Sequence, residues 1–134
     1  MADSPDRSTA RPLSPHLSIY RFTWTMAMSI AHRATGMACY AATVLVVVWL
    51  GAIMAGPATY DCLAALAGSW FGILVLIGLS WALIHHAIGG VRHLVWDTGI
   101  GTGLPARMRW AQATLAGSVL LTALLWLAIL VGGA

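Results

Sequence analysis

Lysine is absent from this chain of 134 residues, and only four residues are acidic. With 8% of residues charged and 60% hydrophobic, there is too little polar surface to wrap a water-soluble core of this size. A soluble globular domain is therefore excluded, and a mean hydropathy of +0.83 places the chain in the membrane class. The two cysteines, Cys39 and Cys62, stand alone, with no C-x-x-C or C-x-x-C-H pattern. That excludes a thiolate-held iron–sulfur cluster and covalent haem attachment, and leaves two small apolar side chains. A flavin fingerprint is also missing. The seven arginines occur only between Arg7 and Arg33 and between Arg92 and Arg109. Such clusters report membrane topology, whereas a nucleic-acid site would need a basic stripe on a polar face. No secretory signal is expected of the polar N-terminal stretch, which carries Asp3 and Asp6, acids that transit peptides avoid. The expectation is a bacterial inner-membrane protein inserted through its own helices, with the mitochondrial inner membrane as the alternative.

What is present is three long uncharged runs. One extends from Ala34 to Tyr60, one from Cys62 to Ile84, and one from Trp110 to Ala134. Each exceeds the roughly 20 residues needed to cross a bilayer. The reading is an all-α membrane protein with three transmembrane helices, at approximately residues 31–55, 69–96 and 110–131. Residues 1–28 form a cytoplasmic or interfacial N-terminal segment, and residues 29–134 a transmembrane anchor. In the first segment, Pro5, Pro12 and Pro15 prevent a long helix, and His16 and Tyr20 suit interfacial or partner contacts. Gly56-Pro57 closes the first span, and Asp61 marks a short loop. Gly68 and Gly72 have the spacing that admits another helix closely. Gly99, Gly101 and Gly103 signal a turn before the third span, whose expected job is packing. The arginines put the N-terminus and the Arg107/Arg109 loop in the cytoplasm.

Two ionisable clusters, residues 29–33 and 85–97, then fall on that same side. Ionisable groups are costly in hydrocarbon, so they mark a functional site by default. His86 and His93 are seven residues apart, almost two helical turns, and share a face with Gly89 and Gly90 between them. The missing side chains leave room for a flat group beside an imidazole, which is what a haem ligand needs. His86 is ten residues from Trp96, about 15 Å deep, whereas His32 opens the first span near the surface. The expected difference in depth, about 10 Å or more, keeps the two from sharing one iron. His85 points about 100° away from His86, and alignment with Gly90 and His93 favours His86 as the ligand. One buried ligand with no second implies that a partner chain completes a six-coordinate haem. His32, Arg33, Arg92 and His93 would meet haem propionates at the cytoplasmic end. Arg33 would bind a propionate bidentately, and Ser29 and Arg33 would hold a quinone carbonyl at the pocket lip. Asp97 would orient Arg33 or join a proton path. Arg92, Arg107 and Arg109 read first as topology anchors.

Three blocks in this order resemble the cytochrome b membrane-anchor subunits of succinate dehydrogenase, respiratory complex II. They are Arg11-Pro-Leu-Ser-Pro-His-Leu-Ser-Ile-Tyr20, Ser29-Ile-Ala-His-Arg-Ala-Thr-Gly36, and His86-x-x-x-Gly90-x-Arg92-His93-x-x-x-Asp97. The resemblance implies that His86 is one axial ligand of a low-spin haem b, with the other histidine on a second small hydrophobic anchor subunit. It implies that Ser29 and Arg33 help form the ubiquinone site and that His32 lies near the propionates. It also implies an iron–sulfur subunit and a flavoprotein subunit docked on the cytoplasmic face, where succinate is oxidised. The doubled histidine departs from the family pattern, because another residue usually stands at the place of His85. Two alternatives remain: the anchor of a quinol:fumarate reductase, and a haem-free packing or transport subunit whose histidines relay protons.

Overall fold

The computed structural model describes residues 21–133. The first matched block, with His16 and Tyr20, lies outside the described residues. The chain is all-α, with α1 at Trp24–Ala55, α2 at Pro57–Ala67, α3 at Trp70–Asp97 and α4 at Leu104–Gly132. Helices α1, α3 and α4 contain 32, 28 and 29 residues and are long and apolar enough to cross a membrane. At 1.5 Å per residue they run about 42–48 Å, beyond the ~30 Å hydrocarbon layer.

Local chemistry sets the helix ends. Thr23 caps α1 by accepting the Met26 N–H at 3.3 Å, and Ser69 caps α3 by accepting the Gly72 N–H at 3.1 Å. Each cap is worth about 1 kcal/mol. Gly56 ends α1 with φ at +106°, a conformation that strains any residue bearing a Cβ. Pro57 then opens α2, where its missing N–H has no helical partner to lose. The short loop expected around Asp61 is thus the 11-residue helix α2. Its Ala- and Leu-rich sequence coils readily once proline has fixed the first turn. The close approach expected at Gly72 is made by α2 of the same chain. A Cβ at Gly72 would run into the Leu66 and Ala67 carbonyl oxygens. Gly99 and Gly101, at φ +81° and +75°, form the turn between α3 and α4.

Both α1 and α4 begin earlier than the uncharged runs do. Charge marks where hydrocarbon ends, but a helix continues into the headgroup layer while its hydrogen bonds are made. This places Ser29, His32 and Arg33 well inside α1, and Arg107 inside the first turn of α4.

Helix α3 packs against both α1 and α4. The buried apolar residues are few and mostly small, among them Met28, Ala52, Ala82 and Ala111. Thr35, His85, Arg92, Thr114, Ser118 and Thr122 are buried with them, while rows such as Val44–Leu50 and Leu124–Val131 face outward. Small and polar residues inside with aliphatic residues outside is the pattern lipid requires. Along α4, Ala111, Thr114, Ser118 and Thr122 recur every three or four residues and form one seam. Thr114 and Thr122 return their hydroxyls to the carbonyls of Trp110 and Ser118, both at 2.8 Å, so burying them leaves no donor unpaired.

Candidate functional site

Helices α1 and α3 cross through two histidines that occupy each other's glycine clearance. The His86 ring lies over Gly36, where a Cβ would sit 2.8 Å from Cε1. The His32 ring lies over Gly89, where a Cβ would collide with Cδ2. The imidazoles are stacked, with centroids 4.2 Å apart and planes 11° from parallel. Each ring also donates to the other residue's backbone: His86 Nδ1 to the His32 carbonyl at 3.1 Å, and His32 Nε2 to the His86 carbonyl at 3.3 Å.

This pairing corrects the expected separation in depth between His32 and His86. Because α1 starts at Trp24, His32 lies eight residues inside it, about 12 Å along the axis, close to the depth of His86. The rings still meet face to face, so their nitrogens do not converge on a common atom. The clearance at Gly89 is likewise taken by His32 of the same chain, whereas Gly90 has nothing within 4 Å of its Cβ position.

His85 faces the opposite way. It is 1% exposed, packs its ring 5.1 Å from Trp81, and pairs its Nδ1 with Ser118 Oγ on α4 at 3.0 Å. The Ser118 hydroxyl proton goes to the Leu115 carbonyl at 2.9 Å, so Oγ accepts and His85 Nδ1 donates. His85 is committed to the α3–α4 seam and His86 to the α1–α3 crossing.

Towards the α3–α4 turn a cavity of about 210 Å³ opens beside His32. Ser29, His32, Arg33, Arg92, His93, Trp96 and Arg107 line it, with Thr25, Met28 and Ala111. Three arginines and two histidines surround it and, among the described residues, no carboxylate does. Asp97 is exposed and off the lining. The His93 ring stands edge-on to His32 at 5.2 Å and to Trp96 at 5.3 Å. Arg92 is 5% exposed, with its guanidinium carbon 5.0 Å from the centre of the Trp96 ring. Arg92 Nε and Trp96 Nε1 are buried and have no hydrogen-bond partner among the described residues. Leaving such donors unpaired costs about 1–3 kcal/mol each, more for a charged group. Three arginines and two histidines around one cavity fit an anionic group such as a propionate. The volume falls below the ~300–1,000 Å³ of complete ligand pockets.

A model of the succinate dehydrogenase/fumarate reductase transmembrane subunits matches residues 7–125, which include the first two spans, most of the third and every cavity residue. The chain belongs to that family. Among its relatives, the succinate dehydrogenase cytochrome b556 subunit of Paracoccus denitrificans is 41% identical over 114 residues, covering 85% of this chain and 88% of the relative. The cytochrome b556 subunit of Rickettsia conorii is 38% identical over 117 residues, covering 87% and 90%. The mitochondrial cytochrome b560 subunit of Sus scrofa is 39% identical over 116 residues, covering 83% and 63%. Family membership makes the chain a membrane component of an oxidoreductase complex.

In this transmembrane subunit the sequence-named residues Ser29, His32, Arg33 and His93 meet at one cavity, with His86 stacked directly behind His32. Arg107, read as a topology anchor, also lines the cavity, while Arg109 lies elsewhere. Arg107 stands four residues before Ala111 and so heads the buried seam of α4. That spacing is the signal that separates it from Arg109.

Proposed function

We propose that the chain is the membrane-anchoring cytochrome b subunit of a succinate dehydrogenase, and that it shares a haem b with a second anchor subunit. The observation carrying this reading is the cavity lined by Arg33, Arg92 and Arg107. Its buried donors are unpaired, and it adjoins a histidine whose Nε2 has no hydrogen bond from the described residues. His86 would hold the haem iron as its axial ligand from this chain. His32, Arg33 and His93 lie on the propionate side, where Arg92 supplies buried charge. When bound, the haem accepts and returns single electrons within the complex. A second anchor subunit would supply the other histidine to the haem.

Ser29 and Arg33 stand one turn apart on α1 and hold one carbonyl of ubiquinone at the cavity lip. The Ser29 hydroxyl donates a hydrogen bond, and the Arg33 guanidinium stabilises negative charge developing on that oxygen. Electrons arrive from the iron–sulfur subunit, which docks with the flavoprotein on the cytoplasmic side. This subunit supplies no succinate chemistry of its own. The N-terminus and the α3–α4 turn face the cytoplasm of a bacterium, and α2 lies at the outer surface.

In the purified complex, Arg33→Leu is expected to depress succinate–ubiquinone reduction about 10- to 100-fold, the weight of a charged hydrogen bond. Dye-linked succinate oxidation, which bypasses the anchor, should change little. Equal loss of both activities would contradict the quinone role. The family description includes fumarate reductases, which gives the second reading: the same anchor passing electrons from quinol to fumarate. Assays with ubiquinone and with a menaquinol distinguish the two by the favoured direction.

A further inference from the structure

The α1–α3 crossing determines which nitrogen of His86 is available to a metal. A neutral imidazole has one N–H and one lone pair. A backbone carbonyl only accepts, so the 3.1 Å contact between His86 Nδ1 and the His32 oxygen requires the proton to be on Nδ1. The lone pair is then on Nε2. The parallel stack on His32 limits rotation of the ring about its Cβ–Cγ bond, and the backbone of Gly36 lies close against its Cε1 and Nδ1. Gly36 is one helical turn beyond His32, on the same face of α1. A Cβ there would be 2.8 Å from His86 Cε1 and 3.2 Å from Nδ1. Any side chain at 36 therefore drives the imidazole away from the His32 carbonyl.

We propose that Gly36 and the His32 carbonyl are positioning elements that lock His86 as its Nδ1–H tautomer and aim Nε2 at the iron. The proposal rests on the haem reading above. A hydrogen bond from the outer nitrogen of a ligating histidine raises the basicity of the ligating one, and loss of such a partner typically weakens metal binding about 10- to 100-fold. A more basic ligand favours ferric iron, so weakening the bond raises the haem midpoint potential.

The test is Gly36→Ala in the intact complex, with Gly51→Ala as the control on the same helix, where a Cβ meets nothing within 4 Å. Co-purification of this subunit with the iron–sulfur and flavoprotein subunits reports assembly. Gly36→Ala is expected to raise the midpoint potential, alter the low-spin ferric resonance and weaken haem retention about 10- to 100-fold. Gly51→Ala should match the parent complex on all three. An assembled Gly36→Ala complex with unchanged potential and resonance overturns the positioning role while leaving His86 as a possible ligand. A His86→Leu complex that keeps the parent haem spectrum overturns both. Should Gly36→Ala fail to assemble, an experimental map of the parent complex decides. His86 Nδ1 within hydrogen-bond distance of the His32 oxygen supports the proposal, and Nδ1 directed at iron or away from that oxygen refutes it.

Discussion

At the scale of single residues, Arg92 shows how burial separates a site residue from a topology anchor. All the arginines in residues 92–109 satisfy the positive-inside pattern, yet Arg92 alone among them is buried, beneath Trp96, with an unpaired Nε. An uncompensated buried charge is expensive, so a counter-anion is expected to complete it. Arg92→Met, which keeps the bulk and removes the charge, is expected to reduce haem retention about 10- to 100-fold, as for a lost charged hydrogen bond. Titrating haem content of the purified variant checks this, and full occupancy would count against an anion at that position. The sequence supplied the residue types here and the helical rotation between His85 and His86. It did not show that Ser118 receives one ring and the His32 carbonyl the other, because those partners come from distant parts of the chain.

At the scale of helices, the seam between α3 and α4 is held by the His85–Ser118 pair. Ser118→Ala leaves the His85 Nδ1–H buried without an acceptor and is expected to lower stability by about 1–3 kcal/mol. Thermal inactivation of the complex should therefore begin at lower temperature while the haem spectrum stays unchanged. A spectrum that shifts with this substitution would place His85 in the haem site. The three spans were legible because uncharged runs of their length have few other uses in a chain of this composition. Helix α2 was less so: Asp61 and the Gly56-Pro57 break resemble a loop, and only the Ala- and Leu-rich stretch beyond proline argues for coil-to-helix continuation. The third span was read as packing alone. The buried recurrence of Ala111, Thr114, Ser118 and Thr122, with Arg107 at its head, was visible in the spacing but gained meaning only once α4 was seen to begin at Leu104.

For the whole molecule, orientation and incompleteness matter most. Cys62 is exposed on α2, whereas Cys39 is half-buried within α1. A membrane-impermeant thiol reagent is expected to label Cys62 from the outer side of right-side-out membranes and not from the inside. Labelling only in inverted vesicles would reverse the proposed topology. The cavity of about 210 Å³ is surrounded by three arginines and two histidines and is too small for a whole cofactor. The function assigned to it therefore requires a second hydrophobic subunit opposite His86.

The central claim, that His86 holds the haem, is tested most directly by the reduced-minus-oxidised spectrum of the purified complex carrying His86→Leu, beside one carrying His85→Leu. Loss or displacement of the b-type bands is expected with His86→Leu alone, and the His85→Leu complex should keep them. Bands that survive in the His86→Leu complex, or vanish only in the His85→Leu complex, would contradict the account.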